Sequence, residues 1–149
     1  MTDDRYVPHI DLLMASLRIT RDRLHSRSKI AIPAGLLKKL LTEVARAQTF
    51  DEAFYRHMYP DLASAHDTGQ VKDLHAHFIE AGWLEGGLGA DPGVDEVLYL
   101  RENQDVRQAV ASGTVASATD HYLRSGAAEG RVTRAGVAED VARWRGAME

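Results

Sequence analysis

The stretch 50–87, FDEAFYRHMYPDLASAHDTGQVKDLHAHFIEAGWLEGG, is followed 44 residues later by a second version of itself. The second version is 94–131, VDEVLYLRENQDVRQAVASGTVASATDHYLRSGAAEGR, and the two align over 38 positions without a gap. A fixed period indicates one supersecondary unit that is used twice. It therefore predicts an architecture more directly than a reaction. Eleven positions are identical: Asp51/Asp95, Glu52/Glu96, Tyr55/Tyr99, Asp61/Asp105, Ala65/Ala109, Gly69/Gly113, Val71/Val115, His77/His121, Gly82/Gly126, Glu85/Glu129 and Gly86/Gly130.

The composition is that of an ordinary globular protein, 149 residues with 44% apolar and 27% charged side chains. It includes no cysteine, which excludes disulfides, thiolate zinc sites and cysteine nucleophiles. No apolar run is long enough for a transmembrane segment, and the N-terminal residues do not resemble a secretory signal peptide. We therefore expect a cytoplasmic protein that at most contacts the inner face of the membrane.

The charge is distributed unevenly along the chain. Residues 1–49 hold nine basic and five acidic side chains, net +4, whereas 50–149 hold nine and 17, net −8. The basic stretch has several interpretations: a solvated helix face, a patch for an anionic membrane or acidic polysaccharide, or a dock for the acidic half of this chain or of a second copy. The acidic overall balance and the lack of aromatic residues among the basic ones disfavour nucleic acid. The basic side chains concerned are Arg18, Arg21, Arg23, Arg27, Lys29, Lys38 and Lys39.

Helical periodicity is present on both sides of the repeats. Apolar residues at three- and four-residue steps predict one amphipathic helix over about 8–25, and Pro33 is suited to open a second over about 34–48. We expect these to form a basic helical hairpin spanning 1–49. After the repeats, 132–149 is predicted to hold a short capping helix over about 137–147, with Val141 and Trp144 on one side.

Each repeat is predicted to contain three short helices. In 50–87, Asp51 caps the first, Pro60 opens the second, and the third runs over 71–81. In 94–131 the corresponding helices are 95–102, 105–112 and 115–125. Gly69 and Gly82, with their counterparts in the second repeat, are expected to end helices because glycine adopts the left-handed conformation easily. No strand pattern competes, so we predict an all-α fold: two three-helix repeats, an N-terminal helical hairpin and a short C-terminal helix.

The repeated polar residues have structural explanations. We expect the aspartates to cap helices, the histidines to be buried and hydrogen-bonded rather than to act as catalytic bases, and the glutamates to bind backbone amides of a glycine turn. The pairs are Asp61/Asp105, His77/His121 and Glu85/Glu129.

Little in the sequence points to catalysis. There is no nucleophile elbow, no phosphate loop and no spacing that selects a pair of carboxylates. In the first repeat His75 and His77 are two residues apart, which on a helix points them to different sides. We therefore predict no catalytic residue, no metal site and no cofactor. The potential ligands considered were His57, His66, His75, His77, Asp61, Asp67 and Asp73.

Residues 50–131 resemble a bacterial tandem repeat of the form "FD…YY…NPDV…HYL..G..EGR". The resemblance rests on FDEAFY at 50–55, YPDL at 59–62, HFIEAG at 77–82 and HYLRSGAAEGR at 121–131. Such repeats occur beside glycosyltransferases of surface-polysaccharide synthesis and in secreted calcium-repeat proteins. The resemblance implies a bacterial cell-surface context and no particular reaction. The match is weakest at Tyr59 and Gln104, which stand where the pattern has asparagine and proline.

The leading hypothesis is a non-catalytic interaction module that binds a partner protein or an anionic glycan. The alternatives are an enzyme or accessory subunit of glycan modification, and a homo-oligomeric scaffold assembled through the N-terminal helices. An aromatic side chain can cover the apolar face of a sugar, and the residues that differ between the repeats are the candidates for a specific contact. The predicted binding residues are Tyr59, Trp83, Arg101 and Arg131 between the repeats, and Arg18 and Arg21 in the basic segment.

Overall fold

The computed structural model describes residues 5–149, and this part of the chain is all-α, as predicted, with no strand. It divides into two units, Met1–Ala47 and Gln48–Glu149. Each unit is described by itself below.

The first unit has three helices in its described part rather than the predicted two: α1 (Ile10–Leu17), α2 (Arg21–Leu24) and α3 (Ala34–Ala47). The single helix predicted over 8–25 is wrong because the chain turns at Arg18, whose φ is 53°. There the Ile19 N–H donates to the Met14 carbonyl at 3.2 Å, a Schellman-type ending built on a residue other than glycine. The α3 helix lies where the apolar periodicity predicts it.

The second unit holds both repeats and the C-terminal helix. Its first four elements recur with every boundary moved by 44 residues. They are α4 (Glu52–Met58), α5 (Pro60–Asp67), α6 (Leu74–His77) and a π-helix (Phe78–Gly82), then α7 (Glu96–Glu102), α8 (Gln104–Ala111), α9 (Ala118–His121) and a second π-helix (Tyr122–Gly126). A 3₁₀ turn (Ala135–Val137) leads into α10 (Ala138–Met148).

The helix starts follow from side-chain caps. Asp51 accepts the Phe54 N–H at 3.1 Å, which confirms its predicted role, and Asp95 accepts the Leu98 N–H at 3.0 Å. The N-cap residues of α6 and α9 are Asp73 and Ser117, which each accept an N–H three residues on at 3.0 Å. These two helices therefore start three residues later than the sequence predicts.

Gly82 and Gly126 do not end helices in the predicted way. Both close a π-helix, and both are buried beneath a tyrosine. A Cβ on either glycine would lie 2.2 Å from the hydroxyl oxygen of Tyr55 or Tyr99, so the residue must be small for the ring to fit. The left-handed conformation occurs instead at Gly69 and Gly113, each with φ 78°, in agreement with their predicted role as stops.

Each repeat has its own hydrophobic core and closes on itself. Tyr55, Leu74, Phe78 and Ile79 form the first core, and Tyr99, Val106 and Ala118 form the second. The start of each repeat is tied to the segment that follows it, since the Asp51 N–H donates to the Gly89 carbonyl at 2.8 Å and the Asp95 N–H to the Thr133 carbonyl at 2.9 Å. These two bonds are also related by the 44-residue shift.

Candidate functional site

The repeated histidines are bound to the repeated tyrosines. His77 Nδ1 lies 3.0 Å from the Tyr55 hydroxyl, and His121 Nδ1 lies 3.0 Å from the Tyr99 hydroxyl. Burial raises the pKa of Tyr55 to about 12 and also raises the pKa of Tyr99, so both hydroxyls are protonated at neutral pH and able to donate. The predicted hydrogen bonds of these histidines are confirmed, but both histidines are half-buried rather than buried as predicted.

Arg131 is held by three side chains of the second repeat. Its Nη1 and Nη2 donate to the two carboxylate oxygens of Asp105 at 3.0 and 2.8 Å, a bidentate pair, and Nη1 also donates to Asn103 Oδ1 at 2.9 Å. Its Nε donates to Glu129 Oε2 at 2.5 Å. The guanidinium therefore joins the start of α8 to the turn that follows the second π-helix.

This network shifts the pKa values of its members. The hydrogen bonds from Arg131 lower the pKa of Asp105 to about 2, and Asp105 in turn raises the pKa of Arg131. Asp61 and Asp105 lie in the first turns of α5 and α8 but do not cap these helices as predicted, because the N-cap positions are held by the residues two before them and no side chain caps either helix start. The Asp105 carboxylate binds the guanidinium instead. The Glu129 carboxylate also binds Arg131, whereas the sequence predicts that it binds backbone amides of the turn.

The first repeat links the corresponding helix corner and turn through a different residue. Gly87 stands where Arg131 stands in the second repeat, and Tyr59 stands where Asn103 stands. The Tyr59 hydroxyl accepts the Leu88 N–H at 2.9 Å, and its ring meets the Tyr55 ring edge-on with centroids 4.8 Å apart. The Tyr59 hydroxyl thus links the α4–α5 corner to the turn that follows the first π-helix. In the second repeat Arg131 makes the corresponding link.

The other predicted site residues differ in burial and in their partners. Trp83 is half-buried against the first core, while Arg101 is exposed and donates to its neighbour Glu102 at 3.1 Å. In the first unit, Arg18 is exposed at the end of α1, and Arg21 binds the Asp11 carboxylate.

Two more histidines of the first repeat contact side chains that do not ligate metal ions. His66 Nδ1 lies 3.0 Å from Arg56, and His75 stacks on Phe50 with ring centroids 4.6 Å apart. Within residues 5–149 no group of three or more histidine, aspartate or glutamate side chains is arranged to hold a metal ion.

An open groove of about 530 Å³ lies between α7, the turn after the second π-helix, and α10. Its lining is mostly apolar and includes three alanines, and three charged side chains also line it. The lining residues are Leu98, Val132, Ala135, Ala138, Val141 and Ala142, together with Glu102, Asn103, Gly130, Arg131 and Arg145.

Arg145 fixes the far wall of the groove. Its Nη2 donates to the carbonyls of Glu129 and Gly130 at 2.9 and 2.7 Å, and this ties α10 to the glycine turn. Val141 lines the groove while Trp144 is 58% exposed, so the two residues predicted to share one side of this helix differ in environment. Of the predicted binding residues, only Arg131 lines the groove. The sequence pattern offered no signal that Leu98 and Arg145 would line the same groove.

No family model, curated protein or solved structure matches the chain. Among residues 5–149, no helix is both long enough and apolar enough to cross a membrane.

Proposed function

We propose that the chain is a non-catalytic helical-repeat module that binds a partner protein through the groove between α7 and α10. The observation that supports this most directly is the groove itself, with a mostly apolar lining and three charged side chains in one unit of the chain. The bacterial cell-surface context rests on the resemblance of the repeats alone.

The lining of the groove favours a protein segment over a sugar. Sugar sites commonly offer an aromatic face, and none of the eleven lining residues is aromatic. Three of them are alanines, at 135, 138 and 142, which allow a backbone to approach closely. An amphipathic helix with small or medium apolar side chains fits this surface, its polar flank meeting Glu102 and Arg145.

The polar groups nearby favour binding over catalysis. The guanidinium of Arg131 is occupied by Asp105, Asn103 and Glu129, and the histidines sit in tyrosine pairs inside the repeats. The guanidinium of Arg131 has no lone pair and cannot act as a general base, and one ring nitrogen of His77 and of His121 is engaged by a tyrosine within the fold. The same contacts support a rigid scaffold for the groove.

A displayed library of amphipathic helical peptides tests the proposal. Peptides selected on the wild-type protein should lose at least about tenfold in affinity for Ala142→Glu, because one buried unpaired carboxylate costs well over 1.4 kcal/mol at an apolar interface. Ala142 is exposed in the free protein, so the substitution should leave the helical circular dichroism unchanged. Isothermal titration calorimetry supplies the affinities.

Val97→Glu is the matched control. Val97 lies on α7, is 77% exposed and does not line the groove, so its substitution should leave peptide affinity unchanged. Equal losses in both variants, or selected peptides that bind Ala142→Glu as tightly as the wild type, would refute the groove as the site. If no peptide is selected and the protein binds sugars on a glycan array, the ligand is a sugar and not a protein.

A further inference from the structure

The α3 helix presents leucines to solvent beside lysines. Leu37 and Leu40 are 42% and 41% exposed, and their three-residue spacing places them on one face. Lys38 and Lys39 follow directly and are exposed, and α3 carries only one acidic residue, Glu43, which pairs with Lys39 at 3.1 Å. The helix is therefore amphipathic and carries a net positive charge.

The surroundings of α3 in sequence extend the positive charge. Arg23, Arg27 and Lys29 are exposed, and so are the apolar side chains of Leu24 and Ile32. Cations and apolar side chains thus alternate over the same segment. A helix with an apolar face and a basic flank is the type that lies in the interface of an anionic bilayer.

The charge of α3 and the segment before it distinguishes between the kinds of partner that could cover the exposed face with Leu37 and Leu40. A second copy docked face to face would bring one net +4 segment against another, which is unfavourable, whereas docking on the net −8 half of a second copy is the outcome that light scattering distinguishes below. Nucleic acid would satisfy the arginines and lysines but would leave Leu37 and Leu40 in water. An anionic lipid surface satisfies both, because its phosphates meet the cations while its acyl boundary accepts the leucines.

We propose that α3, with the basic segment before it, binds the surface of a membrane that contains anionic lipid. The leucines enter the boundary between headgroups and acyl chains, and the lysines and arginines contact lipid phosphates. This goes beyond the proposed groove interaction, since it uses other residues in the other unit. It provides a means of holding the partner-binding unit at a membrane.

Vesicle co-sedimentation of the full-length protein tests the proposal. Binding to vesicles of phosphatidylcholine with phosphatidylglycerol should exceed binding to phosphatidylcholine alone and should weaken as salt is raised. The double variant Lys29→Gln/Lys38→Gln should weaken binding about tenfold or more. Leu37→Ser/Leu40→Ser, which keeps every charge, should weaken it at least as much. Val97→Ser in α7, a more exposed apolar position, is the control and should bind as the wild type does.

The absence of native cysteine allows a second, site-specific measurement. A single Leu37→Cys variant that carries an environment-sensitive fluorophore should shift to the blue when anionic vesicles are added. The same label at Lys39→Cys, about 200° around the helix from Leu37, should remain at the level of the headgroups and shift less. This comparison reports insertion of one face without depending on the loss of binding in a variant.

Four results would overturn the proposal. They are equal binding to neutral and anionic vesicles, unchanged binding of the leucine double variant with normal circular dichroism, equal shifts of the two labels, and inhibition of vesicle binding by soluble glycerophosphoglycerol as strong as that by added anionic vesicles.

Tight binding of duplex DNA that survives the leucine substitutions would assign the surface to nucleic acid. A dimer by light scattering that dissociates in the leucine variant would assign it to self-association. Peptide binding in the groove is unaffected by any of these outcomes.

Discussion

Gly82 and Gly126 are required to be small because a tyrosine hydroxyl fills the space next to each of them. The hydroxyl of Tyr55 occupies the space that a Cβ at 82 would need, and Tyr99 does the same at 126. Each of these tyrosines is also bound to a histidine at 3.0 Å. The three residues are identical in both repeats because each depends on the position of the other two.

Gly82→Ala should therefore destabilise the protein by about 1–3 kcal/mol, as overpacking in a close-fitting core does. In a Tyr55→Phe background the cost should shrink, because without the hydroxyl the nearest atom is the ring carbon at 3.4 Å. Urea denaturation of the two single variants and the double variant measures this coupling.

Gly146→Ala is the control for Gly82→Ala, since nothing lies within 4 Å of a Cβ there. It should be neutral or stabilising by up to about 1 kcal/mol because alanine favours the helix. Purely additive effects of Gly82→Ala and Tyr55→Phe would contradict the steric explanation.

Protonation of Asp105 should lower the thermal stability of the protein as the pH falls. Its folded-state pKa is lowered to about 2 by Arg131, from a reference value of 3.8, so its contribution is complete above about pH 4 and is lost as the pH falls towards 2. Asp105→Asn should thus have a lower Tm than the wild type at pH 7. The difference should shrink strongly near pH 2, where about half of the wild-type carboxyl groups are protonated, and should close below that pH.

Asp61→Asn is the matched control for Asp105→Asn. Asp61 occupies the equivalent place in the first repeat, where Gly87 supplies no guanidinium. Its substitution should change the Tm less, and without the same pH profile. A difference between Asp105→Asn and wild type that persists unchanged at pH 2 would show that the ion pair with Arg131 is not its source.

At the scale of elements, the second repeat is more strongly tied together than its sequence suggests. Glu96 on α7 accepts the N–H groups of Ala118 and Thr119 at 2.8 and 3.0 Å and so caps α9 from a distance of 22 residues. Although burial opposes ionisation, these hydrogen bonds, with one from the Thr119 hydroxyl, lower the pKa of Glu96. The cap complements Ser117, which binds the same helix locally.

The α10 helix depends on Arg145. Arg145→Ala removes both hydrogen bonds to the glycine turn, so α10 should exchange its amide hydrogens at least several-fold faster while the core amides of the two repeats stay protected. Hydrogen exchange with mass spectrometry resolves the two regions. Trp144→Ala, which removes an exposed side chain of the same helix, should leave exchange close to that of the wild type.

Uniform acceleration across the repeats in Arg145→Ala would mean that α10 is part of a single cooperative unit rather than one wall of a groove. The same variant also bears on the proposed function. A groove that loses its far wall should lose peptide affinity together with the protection of α10.

At the scale of the whole molecule, the two proposals lie on different units. The groove belongs to Gln48–Glu149, and the lipid-binding face belongs to Met1–Ala47. The division of charge along the sequence runs the same way, net +4 before residue 50 and −8 after it. An anionic membrane attracts the first unit and repels the second, which suits a chain that binds lipid with one and protein with the other.

The sequence alone determined the helical class, the recurrence at 44 residues, the Asp51 cap and the stops at Gly69 and Gly113. Each depends on local backbone preference or on a side chain that reaches three residues. The tertiary structure decided the break at Arg18, the π-helices and the role of Gly82, because a left-handed residue and one extra residue per turn are set by packing and leave no mark on a 3.6-residue period. The Arg131–Asp105 pair joins residues 26 apart in sequence, and the groove is lined by Leu98 and Arg145, which are 47 apart. Periodicity describes one element at a time, whereas these contacts exist only once the elements have packed against one another.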